Sequence, residues 1–219
     1  MKVTYIHHSG FLVETDSFYY IFDYYTGTVP TLDPDKKVIV FSSHAHADHY
    51  NPEIFSILSS MGMNFQAMLA KDISPKKYPE GIYATKVYAN KTYEIENVKI
   101  ETLQSTDAGV AFVVRDPEGV IYHSGDLNDW AWDGEPEQYN RQMTGSYRHE
   151  INKLANEKID IAFEKEYHTD IQTCSGDEGQ ARFKGLYGKY EITVHTKDKT
   201  STHKIHLTKQ GTNKFTIQI

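Results

Sequence analysis

Apolar residues in the first third of the chain fall into short runs separated by polar turns. Val3-Thr4-Tyr5-Ile6, Phe11-Leu12-Val13 and Phe18-Tyr19-Tyr20-Ile21-Phe22 are rich in β-branched and aromatic residues. The gaps between them, His8-Ser9-Gly10 and Thr15-Asp16-Ser17, are too short for anything but antiparallel hairpins. Val38-Ile39-Val40-Phe41 is continuous rather than alternating, as in a strand buried on both faces. After Asn51-Pro52-Glu53 the spacing changes, with Ile54, Phe55, Ile57, Leu58 and Met61 on one face. Asn as cap, Pro in the first turn and an early acid open a helix predicted over 52–61.

Strands are then predicted at Phe65–Leu69, Lys86–Ala89 and Val98–Leu103. Two more, Val110–Val114 and Val120–Tyr122, flank the turn Asp116-Pro117-Glu118-Gly119. Glu135-Pro136-Glu137 opens a second helix, with Tyr139, Met143, Tyr147, Ile151 and Leu154 as its apolar stripe. Ile159–Phe163 and Tyr190–His195 read as strands. His203–Leu207 and Phe215–Ile219 alternate like edge strands. The pattern alone establishes a mixture of α and β, with two groups of strands that each lead to a long helix.

Length and composition narrow this picture. A chain of 219 residues with 39% hydrophobic and 24% charged positions suits one globular domain, expected over residues 1–219. Residues 164–219 fit that expectation least well. No apolar run approaches the roughly 20 residues of a membrane span. The start is already strand-like, so no leader is expected. Cys174 is the single cysteine, so no internal disulfide is possible, and together with the expected lack of a leader and a span this points to the cytoplasm; its Ser-Gly context does not support a nucleophile. A net charge of −7 argues against broad electrostatic binding of nucleic acid.

The residues that carry chemistry are His44-Ala45-His46-Ala47-Asp48-His49, on a loop that leaves a buried strand and enters a helix. His44 and His46, two apart, point the same way in an extended loop and suit one ion. Asp48 and His49 follow at once and suit a second. Imidazole favours zinc and its first-row neighbours, and a carboxylate widens the choice toward harder ions. The competing reading is a surface histidine cluster with no ion. A second polar cluster, His123-Ser124-Gly125-Asp126, also follows a strand. Of His7 and His8, which alternate across the first strand, His8 beside the Gly turn is favoured to face the same site.

The hexapeptide resembles the signature of the metallo-β-lactamase superfamily. The resemblance covers about residues 1–163. Tyr5–Glu14 resembles the first hairpin of the ascorbate-6-phosphate lactonase-like branch, and Ile21-Phe22-Asp23 its next strand with a terminal acid. His123–Asp126 resembles the Gly-Asp motif whose acid bridges two metals, and Ile159–Phe163 a late strand. The resemblance implies a four-layer αβ/βα sandwich of mixed α/β class with an atypical C-terminal part. It implies His44, His46, Asp48, His49 and Asp126 as metal ligands, and one or two ions of zinc, with manganese or iron as alternatives. Asp48 is implied as the catalytic residue that orients the nucleophile and moves its proton.

Two expected histidines are not evident. The loop that should carry a third ligand to the first ion reads Gln104-Ser105-Thr106-Asp107-Ala108-Gly109, so Asp107 is the candidate substitute, or else only a turn residue. For the late histidine, His195 and His168 are candidates. Divergence, a replaced terminal segment and a disturbed reading frame all remain open as the origin of residues 164–219.

The activity implied is metal-assisted hydrolysis of a lactone, ester or phosphoester in a small molecule, by a water activated between the ions. The alternatives are a nuclease or phosphodiesterase, for which only Lys197, Lys199, Lys204 and Lys209 speak, and a catalytically impaired metal-binding or scaffold protein.

Overall fold

The run Val38–Phe41 lies inside a six-stranded sheet in the computed structural model, which describes residues 1–163, 188–195 and 200–207. That sheet has the order β1 (Lys2–His7), β2 (Gly10–Glu14), β3 (Phe18–Phe22), β4 (Lys37–Ser42), β5 (Phe65–Ala70) and β6 (Ala84–Val87). The first three strands form the two expected antiparallel hairpins. From β3 onward the pairing is parallel, and helix α1 (Glu53–Ser60) crosses from β4 to β5. Strands β3 and β4 are buried on both faces, which is why their sequences are continuously apolar. Strand β1, at the edge, is mostly exposed.

The second sheet runs β7 (Thr92–Ile95), β8 (Val98–Gln104), β9 (Val110–Asp116), β10 (Gly119–His123) and β11 (Ile161–Phe163), with β11 at the edge opposite β7. Strands β7 to β10 are a meander, and β11 adds in parallel to β10. Strand β7 is short and half polar, so its alternation does not stand out in the sequence.

The two sheets face each other across one core. Phe41 of β4 packs on Phe112 of β9 at 4.9 Å between ring centres, and Phe11 of β2 stacks on Phe163 of β11 at 4.1 Å. On the outer face of the first sheet, α1 buries Ile54, Phe55 and Leu58. The outer face of the second sheet, with Leu103, Ala111, Val113 and Tyr122, is covered by Tyr147 and Ile151 of α2 (Glu137–Ile151) and by Leu154. The layers are therefore helix, sheet, sheet, helix. Burying a Phe of this kind contributes about 2–3 kcal/mol.

Helix α1 opens one residue later than the spacing suggests. Pro52 stands at its N-cap, and Asn51, one residue before, accepts the Glu53 N–H on Oδ1 at 2.9 Å. Near the C-terminal end of α2, the buried Glu150 accepts the Gln104 N–H at 3.0 Å and the Lys153 ammonium at 2.7 Å, which ties the helix to β8.

By backbone contacts the chain divides into two units. One comprises residues 1–129 and 146–165 and contains both sheets, α1 and the end of α2 that packs on the second sheet. The other comprises residues 130–145 and 166–219; in it β12 (Gly188–His195) pairs antiparallel with β13 (Thr200–Leu207). The expected strands at 190–195 and 203–207 thus form one hairpin. His168 and the expected strand at 215–219 lie outside the described residues. Among the described residues no helix is long and apolar enough to cross a membrane.

Candidate metal centre

Strands β3, β4 and β10 all end at the same edge of the sandwich, and each delivers a polar residue there: Asp23, Ser43 and Asp126. Asp23 follows β3 with φ at +43°, and this left-handed turn brings its carboxyl beneath the loop after β4. Asp23 Oδ1 accepts the Ser43 N–H and Oδ2 accepts the Ser43 hydroxyl, each at 2.7 Å. Asp23 Oδ2 also lies 2.7 Å from His49 Nδ1. An ionised carboxylate only accepts, so His49 carries its proton on Nδ1 and turns the lone pair of Nε2 outward.

The same logic orients His44. Its Nδ1 is 2.9 Å from Ser43 Oγ, whose own proton goes to Asp23. His44 Nδ1–H is then the donor, and Nε2 faces the site. Burial disfavours ionising Asp23. The nearby His123 and His49 rings and the His49 and Ser43 hydrogen bonds outweigh it and hold the carboxyl at about 2. Burial pushes His44 below the ordinary imidazole value and keeps the ring neutral, the form that ligates metals.

The outward-facing donors gather in two clusters. His44 Nε2 lies 3.0 Å from His46 Nδ1 and 3.4 Å from Asp126 Oδ2. His49 Nε2 lies 3.7 Å from Asp48 Oδ2 and 3.4 Å from the other oxygen of the same acid, Asp126 Oδ1. Asp126 thus presents one oxygen to each cluster. His8 joins the second cluster, with Nε2 at 3.1 Å from Asp48 Oδ2. Within each triad, His44/His46/Asp126 and His8/Asp48/His49, the donor atoms all lie within 4.8 Å of one another.

These spacings suit metal ligation. Two ligands held tetrahedrally by zinc at its usual bond lengths sit about 3.4 Å apart. The donor set, imidazole nitrogens with shared carboxylate oxygens, is that of a borderline divalent cation.

The backbone is shaped for this meeting. Gly125 has φ at +52°, and a methyl group there would come within 2.7 Å of Ser43 Cβ. Only glycine lets the strand leading to Asp126 approach so closely. His123 is buried and stacks on Phe22, with ring centres 5.0 Å apart. Its Nδ1 accepts the Gly125 N–H at 3.1 Å, and its Nε2 donates to Ser9 O at 3.1 Å. One neutral tautomer of His123 therefore ties the Asp126 turn to the first hairpin.

Of the residues singled out from sequence, His44, His46, Asp48, His49 and Asp126 are brought together, and His8 joins them as favoured. His7 is instead exposed, its ring 6.0 Å from Tyr25. Asp107 belongs to neither cluster. It is exposed, and its N–H donates to Ser105 Oγ at 3.2 Å in a local turn. Its loop does reach the site, but through backbone: Val110 N–H donates to Ser43 O at 3.0 Å, and a methyl group on Gly109 would lie 1.8 Å from that oxygen. His195 ends β12 in the other unit.

Besides Ser43, two more residues escaped sequence reading altogether. Asp72 accepts the Ala45 N–H at 3.0 Å, and the Lys77 ammonium donates to Ala45 O at 3.4 Å. They clamp the residue between His44 and His46 from both sides. Nothing in their own sequence context marks them.

The fold is similar to a Cronobacter sakazakii metallo-beta-lactamase mutated in its HARLDQ motif: 14% identity, TM-score 0.42, covering 73% of this chain and 76% of that one. A protein of the metallo-beta-lactamase superfamily from Thermotoga maritima gives 14% identity and a TM-score of 0.39 over 73% of this chain and 58% of its own. A protein of unknown function from Enterococcus faecalis V583 gives 15% and 0.43 over 77% of this chain and 49% of its own. The chain therefore spans less than two thirds of the length of the latter two. No curated protein matches the sequence. The family model described as the beta-lactamase superfamily domain matches residues 2–141, a span that holds every member of both clusters. The chain belongs to the beta-lactamase superfamily.

Proposed function

We propose that the protein is a metal-dependent hydrolase with two ion positions, acting on a lactone, ester or phosphoester of a small molecule. The observation that carries this reading is the division of Asp126, with one oxygen 3.4 Å from His44 Nε2 and the other 3.4 Å from His49 Nε2. His44, His46 and Asp126 would hold the first ion, and Asp48, His49 and Asp126 the second. Bound divalent cations supply Lewis acidity and lower the pKa of water to near neutrality. Zinc is the first choice for this donor set, with manganese or iron as alternatives.

The chain's own residues supply the rest. Asp23 and Ser43 fix the tautomers of His49 and His44, so that their lone pairs face the site without rearrangement. The Asp48 carboxylate is 44% exposed, so a nucleophilic water and a substrate can both reach it. Its role is to orient that water and take its proton. Asp126 offsets the positive charge of the ions. The acidic net charge of −7 favours a small substrate over nucleic acid. The resemblance of the first hairpin to the ascorbate-6-phosphate lactonase-like branch supports lactones as the first substrates to try.

The test is hydrolysis of a panel of lactones, carboxylic esters and phosphodiesters before and after chelator treatment, with zinc or manganese added back. Activity lost on chelation and restored by metal supports the reading; activity that survives full metal removal overturns it.

A further inference from the structure

We infer that His8, on the first hairpin, is a protein ligand of the second ion. The inference rests on the metal-centre reading above.

The first observation is position. His8 Nε2 lies 3.1 Å from Asp48 Oδ2, and its ring meets that of His49 edge-on with centres 5.9 Å apart. His8, Asp48 and His49 each offer a donor within 4.8 Å of the other two. Asp126 Oδ1 adjoins this triad, 3.4 Å from His49 Nε2. With His8 the second position has two imidazoles and two carboxylate oxygens, all from residues 1–129.

The second observation is how the hairpin holds His8. The residue has φ at +54°, a conformation that His, Asn and Asp tolerate better than most side chains. Its N–H donates to Tyr5 Oη at 2.8 Å, and the following Ser9 O accepts from buried His123 at 3.1 Å. Gly10 lets the chain pass, since a methyl group there would be 2.9 Å from His7 O. The turn is therefore anchored on both sides of His8. An ordinary solvent-facing turn histidine needs no such anchoring. A ligand does, because rigid placement lowers the entropy lost on binding.

The third observation is the hydrogen-bond partner. An imidazole that only decorated the surface would gain little from pairing with a half-exposed Asp. An imidazole placed beside Asp48 and His49 adds a nitrogen donor to the second cluster.

The test is titration of chelator-treated protein with zinc, followed by calorimetry, and with cobalt, followed by its visible absorption. Wild-type protein should take up two ions. His8→Asn suits the left-handed backbone and removes the imidazole. It should keep one ion at wild-type affinity and weaken the other by at least 100-fold, with altered cobalt bands. His8→Gln serves as the second variant should His8→Asn fail to fold by circular dichroism. His7→Asn should bind as wild type does. Two ions bound with wild-type constants by His8→Asn overturn the inference but leave the metal centre standing. So does a loss on His195→Asn with none on His8→Asn. A wild-type chain that binds no ion overturns both.

Discussion

Asp23 and His49 form a fully buried pair, carboxylate Oδ2 to imidazole Nδ1 at 2.7 Å, at the base of the cluster of outward-facing donors. The pair sets the tautomer of His49 before any ligand arrives. Ser43 extends the same control to His44. On the proposed reading, the ligands are thus oriented for a metal by groups that would touch no ion.

Asp23→Asn should therefore act at a distance. The amide cannot accept from His49 and Ser43 in the way the carboxylate does, and the His49 tautomer is released. Zinc affinity is expected to fall roughly 10- to 100-fold, with a loss of about 1–3 kcal/mol in stability of the metal-free chain. Competition against a chromophoric chelator measures the first, and urea unfolding the second. Unchanged zinc affinity would contradict the role.

Asp48→Asn separates chemistry from binding. At saturating metal, kcat should fall by about 100-fold or more while KM changes little, as for loss of a group that moves a proton in the transition state. Equal losses in both would assign Asp48 to substrate binding instead.

Gly125→Ala places a methyl group 2.7 Å from Ser43 Cβ in a residue with φ at +52°. Overpacking and left-handed strain together should cost about 2–4 kcal/mol. Urea unfolding of the metal-free protein reads this directly. Little change would mean that the Ser43 loop yields, which the hydrogen bonds to Asp23 oppose.

The metal-free protein should lose stability on mild acidification. Burial holds His123 below the ordinary value of 6.5. Between the two values the unfolded chain binds a proton that the folded chain does not. This contribution is fully present above the unfolded value and declines as pH falls below it, and buried His44 acts in the same direction. Melting temperatures measured with chelator from pH 8 to pH 5 should fall mainly below 6.5, and His123→Asn should shallow the slope. A flat profile would contradict the neutral state of these rings.

The parts of this fold legible in sequence were those with a short-range signature. Strands β3 and β4 announce themselves because burial on both faces forbids polar interruptions. The His44–His49 loop is legible because its donors are adjacent in the chain. Asp107 shows the limit of such reading. Its loop does border the site, but a sequence places a loop without telling which atoms it turns inward, and here they are backbone atoms beside Ser43. The Asp72 and Lys77 clamp on Ala45 joins segments 27 and 32 residues apart and leaves no periodic trace. The apolar stripe read along 139–154 is only partly realised: Tyr147, Ile151 and Leu154 pack on the second sheet, whereas Tyr139 is 40% exposed.

The central claim is that Asp126 is shared between two ions. Anomalous diffraction at the zinc edge, from crystals of protein reconstituted with zinc, tests it most directly. Two peaks are predicted, one within bonding distance of Asp126 Oδ2, His44 and His46, the other within bonding distance of Asp126 Oδ1, Asp48 and His49. Reconstituted protein without zinc at this edge of the sandwich, or with a single ion that Asp126 does not touch, would contradict it.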